Sequence, residues 1–185
     1  MRAHQHWTRS TFAGALALLA LLPAGPAPAQ STTNGSTTGL PIPRYVSLKT
    51  DRVNLREGPS KDHRTAWVFQ RAGLPVEIVS EFETWRRIRD SEGTEGWVLH
   101  SLLSGRRTAL ITPVAKGDPR PIALRARADT GAEVLAQFEP GVIANVKSCT
   151  GTWCRVTFAR VGRDLDGYIP QERLWGVYPG ERLGE

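Results

Sequence analysis

The residues equipped to do chemistry are few. Cys149 and Cys154 are the two cysteines of the chain, His63 and His100 its histidines beyond the first ten residues, and two close carboxylate pairs are Glu81 with Glu83 and Glu92 with Glu95. A carboxylate pair can divide acid and base work on a glycosidic bond when one partner is buried enough to hold its proton. Both pairs fall instead in the charged stretch "SEFETWRRIRDSEGTEG", where turns put acids in water, so they read as solvated turn acids. A structural zinc site needs four ligands, and the cysteines have no histidine near them in sequence. There is no G-x-S-x-G, no H-E-x-x-H, no phosphate-cradling Gly-rich loop with Lys, and no Cys placed with a nearby His. The expectation is a non-enzymatic protein with no catalytic residue, no metal and no cofactor.

The cysteines lie in "VKSCTGTWCRV", where two strand-like runs enclose a turn at Thr150-Gly151. Positions 149 and 154 then oppose each other across a hairpin neck, and a disulfide is predicted if the chain leaves the reducing cytosol. The amino terminus predicts that it does. Arg2 and Arg9 stand there without an acid, followed by "FAGALALLALL" from Phe12 to Leu22 and the small-x-small site Ala27-Pro28-Ala29, the order of a secretory signal peptide. The apolar run is shorter than the roughly 20 residues of a membrane-spanning helix. Cleavage after Ala29 is expected, leaving no stable membrane span and a periplasmic or secreted protein.

Loss of residues 1–29 removes two arginines and no acid, taking the formal charge from +6 to +4. The remaining basic residues are scattered among acids, with no run of five or six. That is a mixed, solvated surface without the basic stripe of a nucleic-acid binder. It leaves room for an anionic partner.

The tract "QSTTNGSTTG" after the signal is too poor in apolar residues to pack, so residues 30–43 read as a flexible leader. Beyond it, short runs rich in Val, Ile, Trp and Phe alternate with Gly, Pro or charged turns, and no amphipathic stretch reaches helical length. This predicts an all-β fold. The signals then recur. Leu55-Arg56 returns as Leu124-Arg125, Gly73 as Gly141, Trp85 as Trp153, Gly96-Trp97 as Gly167-Tyr168 and Leu103 as Leu174. Near-constant offsets between landmarks that rare indicate an internal repeat: a first domain over 44–111, a linker over 112–120, a second domain over 121–180 and a tail over 181–185. The second copy is longer between Trp153 and Gly167, which places its extra residues at a hairpin tip. Small barrels bury little surface, so Trp67, Trp85 and Trp97 in one copy, and Phe138, Trp153, Phe158 and Tyr168 in the other, are expected in the cores. Trp67 and His100 can also be read at the border of a groove.

The ordered set "VNLREGPS", an apolar strand, "RAGLPVEIV", a strand-opening Trp and "GWVLHSLL", followed by "IALRARAD", "EPGVIANV", "TWCRV" and "GYIPQERLWG", resembles the bacterial SH3 domain family twice over. The resemblance implies two tandem SH3-like small β-barrels after the signal peptide, as in exported SH3-like proteins of Proteobacteria. It places a ligand surface between the first long loop and the turn before the last strand. Arg56, Asp62, His63 and Trp67 would contribute from the loop side, and His100 and Ser101 from the other. The implied partner is peptidoglycan or a wall-associated peptide bound by a monomer, or alternatively an extended or Pro-containing peptide of another envelope protein. The second copy replaces Gly58-Pro59-Ser60 by Arg127-Ala128-Asp129, which puts a shared binding role in doubt and makes the first copy the expected binder. Bacterial SH3 domains are often appended to wall hydrolases, but the residues beyond the second copy are too few for an enzyme domain.

Overall fold

The computed structural model describes residues 32–113, 115, 117–118, 120–159, 162 and 164–184. The expected signal peptide over 1–29 lies outside the described residues. The first repeat contains β3 (Arg44–Leu48), β4 (Val53–Arg56), β5 (Thr65–Phe69), β6 (Pro75–Phe82), β7 (Trp85–Arg89), β8 (Glu95–Leu99), a 3-10 turn at His100–Leu102 and β9 (Leu103–Ser104). They follow β1 (Thr33–Asn34) and β2 (Pro41–Ile42). The second repeat runs through β10 (Thr108–Ile111), β11 (Ile122–Arg125), β12 (Val134–Phe138), β13 (Ile143–Thr150), β14 (Trp153–Phe158), β15 (Leu165–Pro170), a 3-10 turn at Gln171–Arg173, β16 (Leu174–Trp175) and β17 (Arg182–Leu183). Two antiparallel sheets have matching orders, β5-β4-β8-β7-β6-β3-β9 and β12-β11-β15-β14-β13-β10-β16, with β17 added to β13.

The all-β expectation holds, and the repeat extends to its irregularities. The register slips between Leu55 and Arg56 and again between Leu124 and Arg125, and between Ile78 and Ser80 as between Val146 and Ser148. The extra residues of the second copy fall where expected, at the tip closed by Phe158 and Leu165. Strand alternation sends every second side chain inward. Leu48, Val53, Leu55, Phe69, Val76, Ile78, Ile88 and Val98 thus form one cluster, and Ile111, Ile122, Leu124, Val156, Phe158 and Ile169 lie in the other.

The tryptophans depart from expectation. Phe69 is the aromatic of the first cluster, Trp85 is buried outside it, Trp97 is half-buried and Trp67 is 59% exposed. In the second repeat Phe138 stacks on Phe158, with ring centroids 3.8 Å apart, while Trp153 and Tyr168 are half-buried. Branched aliphatics on alternating positions fill so narrow an interior, and the larger rings are pushed to its rim.

Two segment assignments also move. Thr108–Ile111, read from sequence as the end of the first domain, pairs with β13 and β16 and so opens the second sheet. The sheets are joined by Gly105–Arg107, and the segment read as a linker over 112–120 lies between β10 and β11 of the second repeat. Periodicity shows that a strand exists but not which sheet accepts its hydrogen bonds. The part of the leader that lies within the described residues is not flexible but paired, with Thr33 opposite Ile42 and Asn34 opposite Pro41. Its polar tract is anchored by hydrogen bonds rather than apolar area. Glu81 Oε2 accepts from the backbone N–H groups of Thr37 (3.0 Å) and Thr38 (2.9 Å), and Oε1 from the Thr38 hydroxyl (2.7 Å).

The repeats share a polar and aromatic seam. The buried Thr108 hydroxyl donates to Gly73 O (2.8 Å), Arg71 to Gly141 O (2.8 Å) and the Tyr178 hydroxyl to Glu77 Oε1 (2.8 Å). Tyr45 packs its ring on Trp175 and Tyr178, at centroid distances of 5.1 and 4.7 Å.

Candidate ligand-binding groove

The long loop between β4 and β5 is folded back by Arg56, whose Nη1 donates to Lys61 O (3.0 Å) and His63 O (2.7 Å). Glu57 N donates to Arg64 O (3.1 Å), and the two side chains pair. The His63 ring lies where a Cβ at 58 would stand, so a larger residue there would push this exposed imidazole aside. Ser60 and Asp62 close the tip, with Asp62 N donating to Ser60 Oγ (3.0 Å). The loop is therefore held by its own residues.

Between this loop and the end of β8 lies a groove of about 260 Å³. Arg52, Asn54 and Arg56 line it from the β4 side, Lys61 from the loop, and Trp85, Leu99 and Leu102 from the other side. Trp85 opens β7 directly opposite Leu99, so its buried ring forms an apolar floor. Three cations and no carboxylate line the groove. Among the described residues no acid pairs with Arg52, Arg56 or Lys61. Positive charge beside an apolar floor suits an anionic group carried on an apolar stem.

The six residues expected at the site are spread widely. Arg56 borders this groove. Asp62 turns to Ser60, His63 lies over Gly58, and Ser101 is exposed on the 3-10 turn. Trp67 borders a separate cleft with Asp90 and Glu92, and His100 another with Leu40, Arg44 and Arg86. Sequence reasoning missed Arg52, Asn54, Lys61, Trp85, Leu99 and Leu102 as groove residues. The available signal was a Trp at the first position of the same strand in both repeats, with a half-apolar turn after the next strand.

In the second repeat Thr130, Trp153 and Pro170 stand at the positions of Lys61, Trp85 and Leu99. They line a cleft of about 660 Å³ widened by Tyr45, Trp175, Val177 and Pro179. Pro121 and Ala123 take the places of Arg52 and Asn54. Arg125 keeps the loop role of Arg56, donating to Ala132 O (2.8 Å). The two grooves share a tryptophan and differ in charge.

The carboxylates do not form an acid/base centre. Glu83, Glu92 and Glu95 are exposed as expected, with Glu95 held by Arg87 at 2.9 Å. Glu81 is the correction: it is buried, not a solvated turn acid. Burial favours its neutral form, but hydrogen bonds from Arg44, the Thr38 hydroxyl and the Thr38 and Thr37 amides outweigh it, lowering the pKa to about 2. That carboxylate cannot serve as a general acid near neutrality. The expected Cys149–Cys154 disulfide is present across opposed positions of β13 and β14, with Cα atoms 4.1 Å apart. Among the described residues no His, Cys, Asp and Glu side chains cluster as metal ligands, and no helix is long and apolar enough to cross a membrane.

Comparison with known proteins identifies the repeat. The profile of the Bacterial SH3 domain family matches residues 49–105 and again residues 118–176. No curated protein matches the chain. Among solved structures, NlpC2 from Trichomonas vaginalis is similar at 11% identity and a TM-score of 0.32, over 72% of this chain and 48% of that one. The chain thus spans about half the length of that structure. Bacterial SH3 domains are commonly binding modules and not enzymes. With two copies matched over more than half its length, the chain belongs to the bacterial SH3 domain family.

Proposed function

We propose that this is an exported, non-enzymatic binding protein, monomeric and periplasmic or secreted, that recognises a wall-associated peptide of peptidoglycan through the groove of its first repeat. The observation that carries the reading is the groove's composition: Arg52, Arg56 and Lys61 above Trp85, Leu99 and Leu102, with no acid in the lining. Wall peptides carry free backbone carboxylates beside short apolar side chains, and that combination matches cations beside an apolar floor. Arg56 is tied to the loop backbone, so Arg52 and Lys61 carry the contact with ligand. Protein-free sacculi should retain the chain, and the double substitution Arg52→Glu, Lys61→Glu should reduce retention about tenfold or more. Failure of the unsubstituted chain to bind sacculi rejects the reading.

A second reading is favoured by the second repeat. Its cleft is walled by Tyr45, Trp153, Trp175, Pro170 and Pro179 and lacks the two cations, and aromatic-lined grooves dock extended Pro-containing segments. Here the protein is an adaptor for another envelope protein. Retention only when envelope proteins are present, abolished by Trp153→Ala and not by the charge reversals, identifies the adaptor.

A further inference from the structure

Trp67 stands at a position where the fold does not need it. It pairs with Leu55 as Ala136 pairs with Leu124, and Ala136 reaches the second core with a methyl group. The first repeat places an indole on the same rung and leaves it 59% exposed. The ring does not stand alone: it shares a cleft with Phe69, Leu74 and Leu110, so its open face continues an apolar wall. Its site is a cleft of about 370 Å³ beside the β7–β8 turn, bordered by Phe69, Asp90, Ser91, Glu92 and Thr94.

The rim defines the ligand class. Asp90 Oδ1 accepts from the amides of Glu92 (2.9 Å) and Thr94 (2.8 Å), which fixes the turn and leaves its second oxygen without a protein partner among the described residues. Glu92 forms no ion pair among the described residues, and Ser91 and Thr94 add hydroxyls. The cation of the cleft, Arg71, donates to Gly141 O (2.8 Å). One flat apolar surface edged by acceptors and hydroxyls matches a pyranose ring, which offers a C–H face to the indole and equatorial hydroxyls to carboxylates. The acids disfavour an anionic ligand, and the polar edge disfavours a buried apolar peptide anchor.

We propose that Trp67 and the Asp90–Thr94 turn form a sugar-binding platform for a neutral glycan chain, separate from the groove at Trp85. As the glycan of the wall is the natural source, this rests on the wall-binding reading above. The test titrates the full chain with the tetramer of N-acetylglucosamine, following the Trp67 indole N–H resonance assigned with Trp67→Phe. That resonance should move on titration, Trp67→Ala should lower affinity about tenfold, and its melting temperature should match the parent's. Trp67→Phe should retain binding, and Arg52→Glu with Lys61→Glu should bind tetramer unchanged. Absence of tetramer binding, or undiminished binding by Trp67→Ala, overturns the platform. Sacculi retained without tetramer binding overturn the platform alone and leave the groove reading intact.

Discussion

Glu81 and Arg86 face each other across the β6–β7 ladder on the same rung that Cys149 and Cys154 occupy in the second repeat. Arg86 Nε lies 3.4 Å from Glu81 Oε1, with both side chains almost fully buried. One copy thus closes this rung with a covalent bond and the other with an ion pair. The difference has a use, because the carboxylate has acceptor capacity left over and spends it on Thr37, Thr38 and Arg44. A disulfide offers none. The second repeat instead covers this end with β17, where Leu183 pairs with Cys149.

The leader should therefore detach when Glu81 is neutralised. Glu81→Gln leaves the buried Arg86 and the half-buried Arg44 without their countercharge and should cost about 3–5 kcal/mol. Amide exchange at Thr37 and Thr38 should accelerate before global unfolding. Unchanged protection there would show that the hairpin is held by other contacts.

Acid should act through the same residue. The folded pKa of Glu81 lies near 2, below the value of about 4.3 for a free glutamate. Its contribution is therefore fully present above about pH 4.3 and is lost as pH falls towards 2, by roughly 3 kcal/mol in all. Denaturant midpoints across that window should fall for the parent chain and change far less for Glu81→Gln.

Alkali should act at the seam. Burial is the largest cause raising the Tyr45 pKa, to about 12, and burial followed by the hydrogen bond to Glu77 raises that of Tyr178 as well. Both groups resist ionisation in the fold, so the seam is intact below the free tyrosine value of about 10 and weakens as pH rises above it. Ultraviolet titration should show Tyr45 and Tyr178 ionising above the free tyrosine range. Tyr178→Phe, which strips Glu77 of one donor, should lower stability by about 1–2 kcal/mol.

Removing the disulfide should weaken the second repeat modestly. Its loop is short, and the double substitution Cys149→Ala, Cys154→Ala should cost about 2 kcal/mol in the chain-entropy account. Thermal unfolding with and without reductant measures it. Free thiols in protein folded under oxidising conditions would contradict the pairing.

Tryptophan truncations should separate rim from core. Trp67→Ala at an exposed site should change stability by no more than about 0.5 kcal/mol, whereas Trp85→Ala should cost about 3–5 kcal/mol. Urea midpoints of the two variants decide whether the assignment of surface and floor is right.

The sequence by itself determined the all-β class, the tandem repeat and the disulfide, because those properties are local or periodic. Alternation of side chains marks strands, glycine and proline mark turns, and in "VKSCTGTWCRV" two strand-like runs around Thr150-Gly151 set the cysteines opposite each other. Arg56 was legible as a groove residue because its place after Leu55 recurs in the family pattern. What the tertiary structure alone decided was which strands meet and which atoms converge. Thr108–Ile111 reads as a strand in either domain, and its hydrogen-bond partners on β13 and β16 settle the matter. Trp67, Trp85 and Trp97 look alike in sequence, yet one is exposed, one buried and one intermediate, because burial depends on neighbours brought together from other strands. Glu81 shows the same limit most plainly. Its flanking residues describe a charged turn, while its ionisation is governed by Thr37, Thr38 and Arg44, more than thirty residues away in the chain and within 3.0 Å in the fold.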